Sequence, residues 1–445
     1  MAQTSVESAA SSATPDPAVA RSLSILDRLF AACQPRDFAL RLWTGEVSPP
    51  DQGIEPRFTI VINREGALRR MFWPPDDLAL GEAFIDGEFD IEGDIIAAIG
   101  LGDMLLQPER SLTDWLSLAR DVLALPGQPP AAIPGRQRAR MRGRVHSQER
   151  DRAAIQYHYD VGNDFYSLWL DSRLVYSCGY FRTGAESIDE AQEAKLDIIC
   201  RKLGLRPGER LLDIGCGWGG LVTYAAEKYG VQALGITLSQ RQYELGNERI
   251  RAAGLADRAW VELRDYRDVT EGPFDKIASV GMFEHVGRAR LRQYFENAYR
   301  LLKPQGLLLN HGIATQGKPG KASLPSRLLR RKTFSERYIF PDGELVHINE
   351  ALAFAEEAGF EVRDVESWRE HYALTLRHWL SRLEAQAEAA CRIAGERTYR
   401  TWRLFLAGSA HGFDRATTNV YQTLLVKPAA DGTSAMPRTR EAWYR

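Results

Sequence analysis

Residues Arg210 to Gly220 read RLLDIGCGWGG, and the helix-like LVTYAAEKYG follows them directly. A short apolar strand, an aspartate and closely spaced glycines before a helix make a unit that can bind a nucleotide. Gly215, Gly217 and Gly219 allow a tight turn and close approach of the backbone to a ligand, while Asp213 can accept hydrogen bonds at the strand end. The stretch therefore predicts an α/β domain with a ligand at the end of this strand.

The spacing of the glycines indicates the kind of ligand. The pattern DxGxGxG differs from the dinucleotide pattern GxGxxG, and no basic residue beside it is placed to neutralise a pyrophosphate. The next unit, VQALGITLSQRQ, ends its strand with Thr237 and Leu238, where dinucleotide folds usually place an acid for the ribose hydroxyls. Gln242 could serve in its place. A nucleoside without phosphates fits best, and the alternative is a mere tight connection between strand and helix.

The composition describes a globular protein with more than one domain. The chain has 445 residues, of which 44% are hydrophobic, enough for two or three domains with a large core. The net charge of −2 excludes a strongly basic chain that would hold nucleic acid by its overall field. Without a run of roughly 20 apolar residues or a signal-peptide pattern, a cytoplasmic protein is expected. Five scattered cysteines without CxxC spacing argue against disulfides and structural zinc, so no metal is predicted.

Changes in composition divide the chain into five parts. Residues 1–18 have few large apolar groups and are predicted to be disordered. Residues 19–105 show strand-like alternation and an acidic stretch, which predicts a small N-terminal α+β domain. Residues 106–150 are Pro- and Gly-rich and then basic, as in a linker. Between residues 151 and 428 strands alternate with helix-like segments, the pattern of a doubly wound sheet, and residues 429–445 are a tail.

Five further segments accompany the glycine-rich loop. They are YHYDVGNDFY (157–166), YSCGYF (176–181), SVGMFEHVG (279–287), LNHGI (309–313) and YIFPDGEL (338–345). Together with LDIGCGWGG and GITLS, in this order and spacing, they resemble the motifs of the cyclopropane fatty acid and mycolic acid cyclopropane synthases. The resemblance implies a class I methyltransferase fold, which is a Rossmann-like doubly wound sheet, with a lipid-facing insertion and S-adenosylmethionine as the methyl donor. The N-terminal region resembles the less regular domain of the longer members.

The resemblance also assigns residues to a site. The cofactor would be held by Tyr176, Ser177, Gly215, Cys216, Gly217, Thr237, Leu238 and Gln242, with Asp265 and Tyr266 near the adenine. Asp213 and Gly219 join this set from the loop itself. The family's site also holds a bicarbonate ion, carried over here to the side chains of Glu284, His311 and Tyr372 and the backbone amides of Cys178 and Ile313. Family members often carry a cysteine where AGSAHGF has Ser409, with His411 in place of a small residue, so a thiol there is not essential.

The implied chemistry itself requires such a set of residues. An alkene is a poor nucleophile, so its attack on a sulfonium methyl group needs tight alignment and forms a carbocation in a pocket that excludes water. Aromatic rings in a desolvated site can stabilise that cation by ~2 kcal/mol, or they are simply core. The candidates are Phe165, Tyr166, Tyr180, Phe181, Phe283, Tyr338 and Phe340. Ring closure then needs a base. Bicarbonate, polarised by Glu284 and His311, fits this task, and Tyr372 could pass the proton outward.

A lipid substrate requires contact with a membrane. An acyl chain that leaves the bilayer forfeits about 0.8 kcal/mol per methylene unless an apolar channel replaces the lipid. Two basic stretches could bind headgroups: Arg136, Arg138, Arg140, Arg142 and Arg144; and Lys318, Lys321, Arg327, Arg330, Arg331, Lys332 and Arg337. For the first stretch, a solvated linker or a linker that contacts RNA is an equal alternative. The amphipathic segment Leu112 to Leu125 packs on the core or lies at the interface, and the core is favoured.

These observations predict a peripheral membrane enzyme at the inner face of the membrane. It would transfer a methylene group from S-adenosylmethionine to the cis double bond of an unsaturated phospholipid acyl chain, and it would bind no nucleic acid. Monomer and homodimer are both open. A methyl-branched or exocyclic-methylene product is the alternative, since the place where the cation loses its proton decides the product. A noncatalytic lipid-binding homologue and a small-molecule or RNA methyltransferase are the less favoured readings.

Overall fold

The computed structural model describes residues 16–105, 112–316, 332–434 and 436–444. The chain forms two compact units, Met1–Ala132 and Ile133–Arg445. Most of the segment predicted to be disordered lies outside the described residues, but its end differs from the prediction. Asp16 caps a helix that begins at Pro17 by accepting a hydrogen bond from the Ala18 N–H at 2.9 Å. The predicted lipid-facing insertion lies largely outside the described residues, which include only Lys332 and Arg337 of its basic residues.

The first unit combines helices with a four-stranded sheet. Its elements are α1 (Pro17–Phe30), β1 (Phe38–Arg41), β2 (Val47–Ser48), β3 (Phe58–Ile62), α2 (Ala67–Phe72), α3 (Asp77–Ile85), β4 (Phe89–Gly93), α4 (Ile95–Leu105) and α5 (Leu112–Leu123). The strand order is β2-β1-β3-β4, with β1 and β3 parallel and the outer pairs antiparallel. Alternate residues of β3 are buried, and Phe58 stacks on Phe38 with 5.2 Å between the ring centroids. This period of two explains the strand.

The amphipathic segment predicted at Leu112 to Leu125 packs on the first unit. Leu118, Val122 and Leu125 are buried, whereas Leu116 is 71% exposed. Asp121 of α5 also accepts a hydrogen bond from Arg28 of α1 at 2.6 Å. The apolar face of α5 therefore covers core, which is the alternative that the sequence favoured.

The second unit is built on a seven-stranded sheet. Its strands are β5 (Arg210–Ile214), β6 (Gln232–Thr237), β7 (Ala259–Leu263), β8 (Phe274–Val280), β9 (Leu302–Thr315), β10 (Glu361–Ser367) and β11 (Thr418–Val426). Its helices are α6 (Gln148–Tyr159), α7 (Asn163–Ser167), α8 (Ile188–Leu203), α9 (Gly220–Tyr229), α10 (Gln240–Ala252), α11 (Leu291–Leu301), α12 (Phe334–Tyr338), α13 (Ile348–Glu357), α14 (Arg369–Ala385), α15 (Ala387–Ala394), α16 (Glu396–Asp414) and α17 (Glu441–Tyr444).

The order of the strands places a crevice at one edge of this sheet. The order is β10-β11-β9-β8-β5-β6-β7, in which β5 to β9 are parallel and β11 is antiparallel to both of its neighbours. The direction of chain progression reverses between β5 and β8. Ligands of open α/β sheets bind outside the carboxyl ends of the strands at such a reversal. The loops that follow β5, β6 and β8 therefore meet at the expected ligand site.

Both faces of the sheet are covered by helices. Leu211 of β5 belongs to one apolar cluster with Leu196 of α8 and Val222 of α9. The next residue, Leu212, belongs to a second cluster with Phe295 of α11. Successive residues of a strand point to opposite faces, so the two clusters lie on the two sides of the sheet. The predicted doubly wound sheet is confirmed.

The basic part of the predicted linker differs from the prediction. Arg136 is only 9% exposed, and its backbone N–H donates to Thr398 Oγ1 at 3.0 Å. The boundary between the two units falls between Ala132 and Ile133, so residues 106–150 are divided between them. The physical reason is that the Arg136 guanidinium packs against two aromatic rings and donates to the Tyr338 carbonyl, which offset part of the cost of its burial.

The predicted tail packs on the second unit. Trp443 is 4% exposed and lies over Lys202, whose Nζ is 5.9 Å from the centre of the Trp443 ring. Lys202 is itself buried and pairs with Asp364 at 3.5 Å, and Arg440 pairs with the same carboxylate at 2.7 Å. The end of the chain thus completes the core and a buried ion network. Within the described ranges no helix is both long and apolar enough to cross a membrane.

Candidate active site

The loop after β5 turns through glycines with left-handed backbone. Gly215, Gly217 and Gly219 have φ of +80°, +56° and +78°, which side chains disfavour. A Cβ added at Gly215 would lie 2.7 Å from the Cβ of Met282, in the loop after β8. A Cβ added at Gly217 would meet no atom within 4 Å. Packing therefore requires the glycine at 215, whereas Gly217 borders open space that a ligand can enter.

Cys216 contributes its backbone rather than its thiol to this loop. The N–H groups of Gly215 and Cys216 both donate to the Ile236 carbonyl at 3.0 Å, which ties the loop to β6. The thiol faces β6, because a Cβ added at Gly235 would lie 2.7 Å from the Cys216 Sγ. The predicted role of Cys216 in cofactor binding is thus open only to its main chain.

Asp213 and Lys195 are both buried, and each influences the protonation of the other. Asp213 is 2% exposed, and its Oδ1 has no hydrogen-bond partner among the described residues. Burial raises the pKa of Asp213 to about 7, and the nearby Lys195 opposes that shift. Burial lowers the pKa of Lys195 to about 8, while the Lys195 Nζ donates to Ser177 Oγ at 2.8 Å. Lys195 therefore positions Ser177 and supplies a positive charge beside Asp213.

The side-chain amide of Gln242 is held in place at the end of β6 by Thr237. Thr237 Oγ1 donates to Gln242 Oε1 at 2.7 Å, and the Gln242 N–H donates to Ser239 Oγ at 3.4 Å. Gln242 is 3% exposed, yet its Nε2 has no partner in the part of the chain that the structure describes. Leu238, between these residues, is partly buried. An amide held at its oxygen with two free N–H groups is suited to donate to ribose hydroxyls.

Asp265, predicted to lie near the adenine, binds Arg267, and its role in the cofactor site stays a prediction. Its Oδ1 accepts hydrogen bonds from the Arg267 N–H and Nε at 2.9 and 2.8 Å, and its Oδ2 pairs with the Arg267 Nη2 at 2.6 Å. The carboxylate is thus committed to Arg267, because a buried charge needs a partner. Tyr266 is partly buried, and its ring lies 5.7 Å from that of Tyr294. Tyr266 thus remains a candidate for the adenine.

Glu284 is buried in a helical turn after β8. It is 8% exposed, and its Oε1 accepts a hydrogen bond from the Ile313 N–H at 2.7 Å. Its Oε2 has no partner among the described residues, and burial raises its pKa to about 7. The Ile313 amide, predicted to bind an anion, is therefore engaged by Glu284. The reason is that a buried carboxylate takes the nearest donor.

His311 lies two residues before Ile313 on β9, and thus on the same face. It is 1% exposed, and neither ring nitrogen has a hydrogen-bond partner within the described ranges. Burial lowers its pKa well below the usual value, so the ring is neutral and offers one donor and one acceptor. Its ring meets the Trp368 ring edge-to-face with 5.3 Å between centroids.

Trp368 connects three of the predicted residues. Besides its contact with His311, its carbonyl accepts hydrogen bonds from the Tyr372 N–H at 3.0 Å and the Cys178 Sγ at 3.8 Å. Burial raises the pKa of Tyr372 well above the usual value, with further contributions from Tyr176, Cys178 and Glu284. Burial also raises the pKa of the Cys178 thiol. The structure thus brings these side chains together, with both hydroxyl and thiol protonated.

An aromatic cluster surrounds Tyr176. Its rings are His158, Tyr159, Phe165, Tyr166, Trp169, Tyr176, Trp218, Phe340, Trp379 and Trp402. The rings of His158 and Tyr176 are stacked at 5.6 Å with 7° between their planes. Of the predicted rings, Phe165, Tyr166 and Phe340 belong to this cluster. The others contact different rings, and Tyr180, for example, lies 4.9 Å from Trp368.

Several residues of the site were not predicted from the sequence. They are Lys195, Trp368 and Gln192, whose Nε2 donates to the carbonyls of Val175 and Ser177 at 3.2 and 2.7 Å. Gln192 and Lys195 are three positions apart on α8, so they share the buried face of that helix. The sequence does carry a signal for Gln192 and Lys195, because they are polar residues at positions on the apolar face of α8. Across the described ranges, no group of three or more His, Cys, Asp or Glu side chains is arranged to hold a metal ion.

The raised pKa of Glu284 predicts a pH-dependent stability. Above pH 4.5 the unfolded carboxyl loses its proton, whereas the folded one retains it up to about pH 7. Between these values the folded state is therefore destabilised as the pH rises, by about 3 kcal/mol in total. Glu284→Gln removes this penalty and keeps the acceptor for the Ile313 N–H. Urea unfolding at pH 5 and pH 8 is expected to show a smaller loss of stability in the variant, and equal losses would contradict the prediction.

Comparison with known proteins identifies the family. Residues 146–423 match the family model described as mycolic acid cyclopropane synthetase, and residues 25–101 match a domain of unknown function. A probable fatty acid methyltransferase of Pseudomonas putida is 43% identical over 411 residues, which cover 91% of this chain and 96% of that protein. The cyclopropane-fatty-acyl-phospholipid synthase of Escherichia coli K12 is 36% identical over 287 residues, 64% of this chain and 71% of that protein.

The fold agrees with this assignment. The crystal structure of mycolic acid cyclopropane synthase CmaA1 complexed with SAH and CTAB superposes with a TM-score of 0.57 at 35% identity, covering 62% of this chain and 98% of that one. The predicted class I methyltransferase fold is thereby confirmed. The chain belongs to the mycolic acid cyclopropane synthetase family of S-adenosylmethionine-dependent methyltransferases.

Proposed function

We propose that this enzyme transfers a methylene group from S-adenosylmethionine to the cis double bond of an unsaturated phospholipid acyl chain and forms a cyclopropane ring. One observation carries the proposal. Glu284 accepts a hydrogen bond from the Ile313 N–H, His311 lies two residues before Ile313 on β9, and both side chains are buried with polar atoms that have no partner among the described residues. Such atoms are costly to bury unless a ligand satisfies them. Buried aromatic rings together with polar atoms that could hold a small anion suit a carbocation reaction.

The residues present fit the cofactor. When bound, S-adenosylmethionine supplies an electrophilic methyl group on a sulfonium centre. Asp213 Oδ1 and Gln242 Nε2 offer a free acceptor and a free donor at neighbouring strand ends. The open space beside Gly217 permits close approach of a ligand to the backbone. Ser177, held by Lys195, and Tyr176 complete the proposed cofactor site.

The residues also fit a bicarbonate ion, which would supply the base that takes the final proton. Neutral His311 can donate one N–H, and protonated Glu284 and Tyr372 can each donate an O–H. Three neutral donors can hold an anion without placing a second negative charge beside it. Because Glu284 titrates near neutrality, it can take up and return a proton at little cost. This arrangement supports an anion that stabilises the developing cation.

The aromatic cluster would hold the reacting part of the acyl chain. Tyr176 contacts Tyr166 and Trp379 with 5.6 and 5.3 Å between ring centroids. Faces of tyrosine and tryptophan attract a cation by ~2 kcal/mol in a desolvated site. The same rings exclude water, which would otherwise capture the carbocation. Since the substrate resides in a bilayer, we further propose that the enzyme works at the membrane surface, as a peripheral protein.

One comparison favours a second product. The Pseudomonas putida relative, which matches almost the whole chain, is named a probable fatty acid methyltransferase. The same site would then leave a methyl branch or an exocyclic methylene group if the cation lost its proton elsewhere. The position of the base relative to the added methyl group decides between these products.

Mass spectrometry of lipids tests the proposal. The enzyme would be incubated with S-adenosylmethionine and vesicles of a phospholipid with one cis double bond per acyl chain. A gain of one CH2 with loss of the double bond is expected. A gain of CH2 with a surviving double bond indicates the methylene or the methyl-branched product, and cleavage at that double bond distinguishes a terminal =CH2 group from a double bond within the chain. Absence of any mass change in the acyl chain would contradict all three.

The cofactor loop provides a matched test of cofactor binding. Gly217→Ala places a methyl group in the space proposed for the ligand, and Gly204→Ala places one at a turn with nearly the same φ, +58°, and no atom within 4 Å. Both variants are expected to lose about 1 kcal/mol of stability through backbone strain. Calorimetry with S-adenosylhomocysteine should show affinity about tenfold weaker for Gly217→Ala alone. Equal affinities of the two variants would refute the assignment of this loop.

A further inference from the structure

Three arginine side chains converge on Tyr338. The Arg136 Nε donates to the Tyr338 carbonyl, and the Tyr338 hydroxyl accepts hydrogen bonds from Arg138 Nε at 3.1 Å and Arg397 Nη2 at 3.3 Å. Arg136 and Arg397 are buried, at 9% and 8% exposure, whereas Arg138 is exposed. Positive charge thus extends from the surface at Arg138 into the interior.

The main chain builds this cluster into the fold. A Cβ added at Gly395, which caps α16, would lie 2.7 Å from the Pro134 carbonyl oxygen. A Cβ added at Gly135 would lie 2.7 Å from the Thr398 nitrogen. The Arg397 guanidinium also donates to the Arg136 carbonyl. The segment that carries Arg136 is therefore fixed against the start of α16.

Arg136 is the member whose charge lacks a counterpart. Its guanidinium lies between two rings, with its Cζ 3.8 Å from the centre of Tyr157 and 4.6 Å from that of Trp402. Its Nη2 is buried without a hydrogen-bond partner, and no carboxylate pairs with it among the described residues. A buried guanidinium in this state is costly, and an oxyanion would satisfy it with strong, charge-assisted hydrogen bonds. The open donor and the missing acid both indicate an anionic ligand.

The position of the cluster favours the headgroup of the lipid over the carboxylate of the cofactor. Trp402 belongs to the aromatic cluster, so Arg136 borders the proposed acyl pocket. The cluster continues to the surface through Arg138, and the exposed Arg140 follows it. A phospholipid needs this order, with its phosphate near the entrance and its chain inside. The positive charge near the cofactor loop is instead supplied by Lys195.

We propose that Arg136, Arg138 and Arg397 bind the phosphate group of the phospholipid substrate. This inference rests on the proposed function and adds a recognised headgroup to it. Arginine suits the role because its planar fork of donors matches two phosphate oxygens. The site selects phosphate-bearing lipids and sets the depth to which the acyl chain enters the aromatic cluster.

The test uses the full-length enzyme with dioleoyl phosphatidylglycerol in neutral detergent micelles, where surface charge is diluted. Arg136→Met is expected to raise the KM for the lipid at least tenfold and to leave the affinity for S-adenosylhomocysteine within twofold. Glycerol 3-phosphate should compete with the lipid on the wild type and not on the variant. Arg210→Met is the matched control, since Arg210 also stacks on a ring, Phe274, at the opposite edge of the sheet. It should behave as the wild type.

Calorimetry with glycerol 3-phosphate provides a measurement that needs neither turnover nor the Arg136→Met protein. The wild type should bind it, and Arg136→Lys, which keeps a charge but loses the fork, should bind it more weakly. An unchanged KM, absence of glycerol 3-phosphate binding, or a loss of cofactor affinity without a change in KM would overturn the proposal. So would inorganic phosphate that binds equally well without competing with lipid. If the wild type binds glycerol 3-phosphate but forms no product, the proposed function fails and the phosphate site stands.

Discussion

Glu284→Gln is expected to lower kcat at least a hundredfold, while the affinity for S-adenosylhomocysteine changes less than threefold. Glutamine preserves the acceptor for the Ile313 N–H, which Glu284 Oε1 binds at 2.7 Å, but it can neither release nor take up a proton. General acid–base steps contribute about 10² to 10⁴ in rate, so the loss should fall in that range. Initial rates at saturating substrate and calorimetry of the cofactor product measure the two quantities.

Two controls separate this effect from a general change of charge or structure. Glu344→Gln removes an exposed carboxylate near Glu284, since the backbone N–H of Glu344 donates to the Glu284 carbonyl. This variant should retain most of the activity. Removal of dissolved carbonate should slow the wild type, and added bicarbonate should restore it. If the rate is indifferent to carbonate, a protein group is the base. His411 on α16, which stands in place of a small residue, is then the first residue to substitute.

Gly215→Ala is expected to weaken cofactor binding at least about thirtyfold and also to reduce turnover. The added Cβ would lie 2.7 Å from the Met282 Cβ and 2.9 Å from its Cγ, and φ is +80°. Real side chains do not approach so closely, so the loop after β5 and the loop after β8 must separate. Met282 directly precedes the turn that carries Glu284, so one methyl group disturbs both halves of the site. A loss of about 2 kcal/mol corresponds to the stated factor.

A matched variant and a rescue distinguish the collision from backbone strain. Gly208 has φ of +82° with no atom near the position of a Cβ, so Gly208→Ala should cost stability alone. Adding Met282→Gly to Gly215→Ala removes the colliding atoms and should recover part of the affinity for S-adenosylhomocysteine. If the double variant binds no better than the single one, strain rather than contact with Met282 explains the loss.

The sequence predicted the sheet because its strands and loops carry local signals. RLLDIGCGWGG contains both the apolar strand and the glycines whose positive φ values the structure shows. Arg136 was misplaced in a linker because nothing local to a basic, Pro-rich stretch shows that Tyr157 and Trp402 offer it two ring faces. Those partners are 21 and more residues away in the sequence, so only the fold brings them together.

The same limit applies to the site. Sequence motifs predict His311, Tyr372 and Cys178 for the site, and in the structure all three contact Trp368, which no motif indicates. The hydrogen bond from the Ile313 N–H to Glu284 depends on the register between β9 and the loop after β8, which no motif specifies. Lys195 escaped notice because a lysine on a helix is usually solvated. Its burial, which depends on the tertiary fold, places the Lys195 ammonium against Ser177.

The packed end of the chain has a practical consequence for protein engineering. Trp443 covers Lys202, and Tyr444 donates to the Glu366 carboxylate at 2.9 Å. A shortened protein that stopped at residue 428 would uncover an ammonium and two carboxylates together with the apolar cluster beneath them. Purification tags and fluorescent fusion partners are therefore better joined ahead of α1 than behind α17, and domain-boundary screens should keep the last helix.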